Sequence, residues 1–369
     1  MDWFRSQGVG SLAIRLVAPL MFLACAIEAY AQPMPMLAGE RFAWFPVVID
    51  GTEVDVLFDH RNDALTRVEM GTPFEKLGSI QPSRLDPDRL LVTSYEWYVD
   101  ERDVYEGDVE GRRRGLLSRL YACDVERAAC EMLHERPGSL GWPVETEYGI
   151  FFSSSPVRYR PSHWPPHKVR PHLNDWDLYL LKDDGEVERR SDLKLYDLSG
   201  LGIGNGRLVF NTRDSDYSHS SDGGSQTEWV YSTELDPTTR IEADDLAEPL
   251  VRAGEWYTLG PSVAPNAPLV AVEAAFDDGT RLWKRKDWMV VVDYTDGSTV
   301  HVLDPEPGSQ LARPSFLSDT ELIFARVDER RVRLVVLELS TGEETTVRTI
   351  SLPRTGPIPN TRLLTVRGR

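Results

Sequence analysis

PSRLDPDRLLVT (Pro82–Thr93), PSVAPNAPLVAV (Pro261–Val272) and PSFLSDTELIFA (Pro314–Ala325) are three versions of one twelve-residue phrase. Each opens on Pro-Ser and crosses a polar, turn-prone middle. Each ends in an apolar β-type run that begins with Leu90, Leu269 or Leu322. A phrase that recurs with its register intact signals stacked copies of one supersecondary unit.

A second phrase follows the first. LYACDVERAACEML (Leu120–Leu133) aligns without gaps on LVVLELSTGEETTV (Leu334–Val347). Looser versions are DLYLLKDDGEVER (177–189), WVYSTELDPTTRI (229–241), WMVVVDYTDGSTVHV (288–302) and, weakest, VDVLFDHRNDALTRV (54–68). These β-rich runs are divided by Asp-Gly, Thr-Gly or Asp-Pro turn chemistry, which is the signature of hairpins. Looser opening phrases stand at PVETEYGIFFSS (143–154) and GLGIGNGRLVFN (200–211). The openings therefore begin near 82, 143, 200, 261 and 314, which is 53 to 61 residues apart. Four-stranded propeller blades have about this length.

The two ends of the chain complement each other. PNTRLLTVRG (359–368) reads as a sixth opening phrase with no hairpin after it, and 54–68 reads as a hairpin with no clear opening before it. Joined, they complete one blade and remove the open sheet edges that invite aggregation. The expected fold is all-β: a six-bladed β-propeller of four-stranded antiparallel blades, its ring closed by the N- and C-terminal strands, with seven blades as the alternative. Residues 32–369 form this single domain.

Residues 1–31 read as a secretory signal peptide. Arg5 and Arg15 precede the apolar run LVAPLMFLACAI (16–27), and Ala29-Tyr30-Ala31 places small residues before a cleavage at Gln32. The rival reading is a transmembrane anchor, but the run falls short of the ~20 residues a span needs and Glu28 interrupts its end. Phe22-Leu23-Ala24-Cys25 resembles a lipoprotein processing box, so lipid anchoring at Cys25 is an alternative. No later segment is long and apolar enough to span a membrane. The net charge of −18 argues against a nucleic-acid partner, which needs a basic face. Of three cysteines, Cys25 lies in the signal, and Cys123 and Cys130 flank a hairpin turn. Facing residues on antiparallel strands have Cα atoms roughly 4.5–5.5 Å apart, within disulfide range, so an oxidising compartment would pair them. The alternative zinc pair needs further thiol or imidazole ligands.

Three insertions carry the candidate chemistry. Residues 96–115 are charged and include Trp97. Residues 153–175 hold His163, Trp164, His167 and His172. Three imidazoles so close could hold zinc or manganese, with Asp175 or Asp177 as an oxygen ligand. The competing reading is a solvated basic loop with Arg160, Lys168 and Arg170. Residues 214–227 alternate Asp214, Asp216, Ser218, Ser220 and Asp222 like a calcium loop, yet His219 and Ser225 stand where Gly and Glu belong. Trp97 and Trp164 could stack on a ligand, though propeller aromatics more often pack between blades. GLGIGNG lacks the third fingerprint glycine, since Asn205 stands there, and a strand follows; it reads as an inter-strand turn. No Gly-x-Ser-x-Gly elbow occurs.

The order proline, polar turn, apolar strand, then a hairpin ending near Thr-Gly resembles the blade of the TolB-type β-propeller. The likeness is strong over 314–347, fair over 82–133 and weak over 54–68. The family's Ser-Pro-Asp-Gly turn is altered here to Leu317-Ser318-Asp319-Thr320 and Ile203-Gly204-Asn205-Gly206, and the separate α/β domain of TolB is not recognisable. The resemblance implies a periplasmic scaffold that presents loops and a central funnel. Some lyases with related propellers use a histidine-lined metal, which keeps His163, His167 and His172 in view. The expected function is an exported scaffold that binds an envelope protein or peptide without catalysis and without a cofactor. The alternatives are a lyase or hydrolase, assisted by a divalent metal, acting on a saccharide or small molecule, and a carbohydrate-binding module. The expected location is periplasmic or secreted, with an outer-membrane lipoprotein as alternative.

Overall fold

The recurring phrase is where the first strand of a blade hands over to the second. The computed structural model describes residues 37–38, 42–49, 52–59, 61–62, 64–100, 113–161, 169–172, 175–195, 198, 200–213, 228–235, 240–242, 251–252, 256–276, 286–306, 309–327, 331–351 and 361–367. Every regular element among them is a strand. Blade 1 holds β1 (Leu37–Ala38), β2 (Phe42–Ile49), β3 (Thr52–Asp59) and β4 (Ala64–Met70). Blade 2 holds β5 (Lys76–Pro82), β6 (Arg89–Asp100), β7 (Arg113–Asp124) and β8 (Ala129–Pro137). Blade 3 holds β9 (Ser139–Thr146) and β10 (Gly149–Ser155), then a small hairpin of β11 (Arg158–Pro161) and β12 (Val169–His172), then β13 (Asp177–Leu181) and β14 (Val187–Arg189). Blade 4 holds β15 (Leu201–Gly204), β16 (Arg207–Arg213), β17 (Glu228–Glu234) and β18 (Val251–Arg252). Blade 5 holds β19 (Trp256–Val263), β20 (Leu269–Phe276), β21 (Lys286–Asp293) and β22 (Thr299–Leu303). Blade 6 holds β23 (Gln310–Phe316), β24 (Glu321–Val327), β25 (Arg331–Glu338) and β26 (Glu343–Ser351), and the last strand is β27 (Thr361–Val366).

Each blade is an antiparallel meander, so there are six blades and not seven. The β11–β12 pair is a separate two-stranded sheet inserted in blade 3. Blade 1 has a fifth strand: β27 pairs with β4, in parallel, from Thr361↔Leu65 to Val366↔Met70. The ends of the chain thus meet, but not by the route the sequence suggested. The C-terminal strand does not supply the missing first strand. The N-terminal chain does so itself through β1, which lies beside β5 and β23, the first strands of the flanking blades. β27 instead joins the far edge of blade 1 and packs on β8, the last strand of blade 2.

Burial follows the seams. Val54, Val56, Phe58 and Leu65 of blade 1 share an apolar cluster with Leu311, Phe324 and Leu334 of blade 6 and Met289 and Val291 of blade 5. Phe42, Trp44, Val68 and Leu364 pack with Ile80, Leu90, Tyr121 and Cys123 of blade 2. Leu91 and Leu120 meet Phe152 and Leu181 between blades 2 and 3. Phe151 and Leu178 meet Leu208 and Phe210 between blades 3 and 4. Val209 meets Val263 and Val272 between blades 4 and 5. Neither face of a blade is covered by its own strands, so stacking around the ring supplies the burial.

Local register explains the prolines. In the first strands of blades 3, 5 and 6 two residues oppose one on the second strand: Trp142-Pro143, Gly260-Pro261 and Arg313-Pro314. A bulge tolerates proline because its missing N–H leaves no ladder bond unmade. In blade 2 the irregularity falls at Gly78, and Pro82 pairs regularly with Leu90. The Pro82 copy of the phrase is therefore out of structural register at its proline, although Leu90 and Leu322 are both fully buried on second strands. The outer strands bulge as well. Leu133, Val300 and Val347 are each the extra residue on β8, β22 and β26, which blunts an exposed edge against pairing with another chain.

GLGIGNG is only partly a turn. Leu201–Gly204 is β15, and Asn205-Gly206, both at positive φ (48° and 68°), make the hairpin turn. Gly202 and Gly204 are there because β15 runs against blade 5. A Cβ on Gly204 would lie 2.2 Å from the carbonyl oxygen of Ala264, and one on Gly202 would lie 2.7 Å from Val263 Cγ2.

Candidate functional site

The meander gives the ring two unlike ends. Turns joining first to second strands, and third to fourth, share one end, and they are tied across blades. Asn205 N–H donates to the Pro265 carbonyl at 3.0 Å. Asn266 and Ala267 N–H donate to Asp319 Oδ1 at 2.7 and 2.9 Å, and Phe316 N–H donates to Ser262 Oγ at 3.1 Å. Arg89 reaches Glu145 at 3.1 Å, and Ser83 donates to the same carboxylate. Asn62 Nδ2 donates to Glu126 Oε1 at 3.1 Å. Ser83 and Ser262 of the recurring phrase are therefore fasteners, and Ser83 also accepts from Leu85 and Asp86 N–H.

Connections between second and third strands leave from the opposite end. Those of blades 1 and 6 are short, at 50–51 and 328–330, whereas those of blades 2 to 5 are 101–112, 156–176, 214–227 and 277–285. These long connections contain the insertions singled out from sequence. Parts of them belong to the blades, since β6 continues through Trp97 to Asp100, and 158–172 includes the β11–β12 hairpin. Trp97 pairs with Leu116 and is 42 % exposed beside the start of the first long connection. His163, Trp164, His167, Asp214, Asp216 and Asp222 lie outside the described residues, as does the side chain of His172, whose backbone pairs with Arg158 in β12. Among the described residues no group of three His, Cys, Asp or Glu side chains could hold a metal ion.

Asp177, one of the two suggested oxygen ligands, is used otherwise. It is buried at the start of β13 and accepts from Ser191 Oγ at 2.9 Å, Leu193 N–H at 2.7 Å and Lys194 N–H at 3.3 Å, and it pairs with Arg189. Four donors saturate its oxygens and pin the crossover into blade 4. Asp192, also on this crossover, has its pKa lowered: desolvation opposes the shift, but Lys194, Arg189 and Arg240 outweigh it.

Two further charge clamps brace the blades. In blade 2, Arg119 reaches Glu75 at 3.3 Å, Glu96 at 3.1 Å and Glu135 at 2.7 Å. Burial opposes its charge, yet the hydrogen bonds to Glu135 and Glu96 and the Glu75 charge hold the guanidinium pKa above its usual value. The buried Glu75 also accepts from Tyr121 Oη at 2.8 Å and from Ser94. Burial, then the bond to Glu75, pushes the Tyr121 pKa up. In blade 6, Arg326 Nη2 donates to both carboxylate oxygens of Glu344 at 2.7 Å. Sequence reasoning missed both clamps, because their members lie far apart in the chain.

Cys123 and Cys130 are bonded. They are direct register partners with Cα atoms 4.1 Å apart, both buried in the cluster that joins blades 1 and 2. Among the described residues no helix is long and apolar enough to cross a membrane.

No family model and no curated protein matches this chain. Among solved structures, TolB from Acinetobacter baumannii is similar, with a TM-score of 0.51 and 13 % identity over 91 % of this chain and 70 % of TolB. An acylaminoacyl peptidase in complex with a chloromethyl ketone aligns at 0.48 and 17 % identity, over 85 % of this chain and 44 % of the peptidase. An oligogalacturonate lyase in complex with manganese aligns at 0.47 and 12 % identity, over 85 % of this chain and 76 % of the lyase. The last two scores carry no argument. Together with the six sheets, the first likeness shows the fold: a six-bladed β-propeller similar to that of TolB.

Proposed function

We propose that this chain is an exported, non-catalytic propeller scaffold that binds an envelope protein or peptide at the end bearing its long connections. The carrying observation is the asymmetry of the ring. Blades 2 to 5 each send a long connection out of one end, while at the other end the strands are joined by short turns, several of them tied blade to blade, with 235–250 of blade 4 the one long connection there. Binding residues concentrate on loops held by a rigid frame. The use of Arg119, Arg326, Asp177 and Glu75 as braces supports a frame reading, since each is engaged by an oppositely charged partner within the frame. The disulfide and the TolB-type fold fit a periplasmic or extracellular setting.

A photo-reactive amino acid in place of Trp97, on the long-connection end, and another in place of Thr295, on the tied end, test this in the producing cell. The scaffold reading expects one discrete adduct from position 97 and none from position 295. Equal labelling from both, or no adduct from 97, would refute it. The metal-assisted alternative rests on His163, His167 and His172 and has its own test below.

A further inference from the structure

Blade 1 is the only described blade whose sheet draws on both ends of the chain, and the bond between Cys123 and Cys130 sits against that junction. Both sulfurs belong to the same buried cluster as Leu364 and Val366 of β27, Val68 of β4, and Phe42 and Trp44 of β2. β27 has two supports among the described residues: its one-sided ladder to β4, extended by Gly71 N–H donating to the Val366 carbonyl at 2.7 Å, and its packing on β8. β8 is itself an outermost strand. It carries a bulge at Leu133 and an exposed Met132. The Cys123–Cys130 bond ties β8 to β7 between that bulge and the hairpin turn.

We infer that this bond is a redox latch on the ring. Intact, it holds β8 as the wall against which β27 closes. Opened, it lets β8 and then β27 come away, and the C-terminal strand leaves blade 1, while the apolar seam between blades 6 and 1 keeps its own cluster. The chemistry requires a dithiol reductant, small or protein-borne. One of its thiolates attacks Sγ of Cys130, the less buried of the two residues, and breaks the S–S bond to release the Cys123 thiolate. The second thiolate then displaces Cys130 as the reductant closes to its own disulfide. The protein gains two electrons and two protons and ends with two thiols. The consequence couples closure to location: a chain in a reducing compartment keeps β27 free, and oxidation after export fastens the ring.

Hydrogen exchange on the full exported chain, oxidised and after treatment with dithiothreitol, reads this directly. The latch predicts that amides of 362–366 exchange at least tenfold faster after reduction, while those of 270–272 and 289–292 in blade 5 keep their rates. Faster exchange confined to 129–137 would overturn the inference, because the bond would then serve only its own hairpin. An equal rise in every blade would overturn it too, because the bond would then stabilise the fold globally. A Cys123→Val/Cys130→Val chain, which keeps apolar volume in the cluster, should show the fast β27 rates with or without reductant. Slow β27 exchange in that variant would show that volume and not the covalent link holds the strand.

Discussion

Val68 and Leu364, from opposite ends of the chain, are register partners on parallel strands, and both side chains are buried. Parallel pairing at this junction follows from topology. β27 arrives from blade 6 and lies on the far edge of a sheet already complete in its own meander. Its alternation decides its face. Leu364 and Val366 point into the cluster with Tyr121 and Cys123, and Leu363, just before them on the opposite face, is 51 % exposed.

Leu364→Ala should destabilise the fold by about 2–5 kcal/mol, the range for emptying a leucine-sized site in a core. Leu363→Ala should change it by no more than about 0.5 kcal/mol, as surface substitutions do. Denaturant titration of the two variants checks the alternation, and equal losses would contradict the register.

The junction also shows where sequence reading succeeds and fails. The phrase at Pro314 was legible because strand, turn and strand are contiguous, so its pattern is local. β2 was not, because FAWFPVVI carries Pro46 in mid-run, which ordinarily argues against a strand with neighbours on both sides. The reason it is tolerated is non-local. β1 pairs only with Phe42 and Ala43, so among the described residues no strand pairs with Pro46 on the β1 side. With β2 unseen, the C-terminal phrase looked like the missing first strand. The Arg119 clamp was equally invisible, since Glu75, Glu96 and Glu135 reach one guanidinium only through the registers that place Arg119 opposite Ser94 and Glu135.

Gly204→Ala should be more damaging than Gly206→Ala. The first sets a Cβ against the Ala264 carbonyl, and the second meets open space and costs only its left-handed backbone, about 1–2 kcal/mol. Thermal unfolding separates them. A larger loss at Gly206 would return the whole GLGIGNG stretch to the free-turn reading.

His134 gives the fold a pH dependence of definite sign. Burial first, and then the Arg136 charge, pushes its pKa down, with Glu135 opposing. The folded chain therefore binds the His134 proton less readily than the unfolded chain does. Stability from this group is fully present above the unfolded value, about 6.5, and is lost as pH falls through the lower folded value. His134→Gln should flatten the stability curve between about pH 7 and pH 5. A slope unchanged by the substitution would show that other groups carry it.

Asp177→Ala should cost about 2–4 kcal/mol, because it strands the Ser191 hydroxyl and two N–H groups and removes one of the two carboxylate partners of Arg189. It should not alter bound metal. Elemental analysis of chain purified without chelator tests the rival reading in the same samples. Stoichiometric zinc or manganese lost in His163→Ala/His167→Ala would favour a metal-assisted enzyme over the scaffold.

Closure of the ring by β27 is the claim on which the account stands, and Arg67 and Leu363 offer the most direct measure of it. They are register partners on β4 and β27, and both side chains are exposed. Spin labels at these two positions, in chain with the Cys123–Cys130 bond intact, should couple as neighbours on adjacent strands whose backbones lie about 5 Å apart. Strong dipolar broadening at low protein concentration is the predicted result. A spectrum equal to the sum of the two single-label spectra would show that the ends of the chain do not meet.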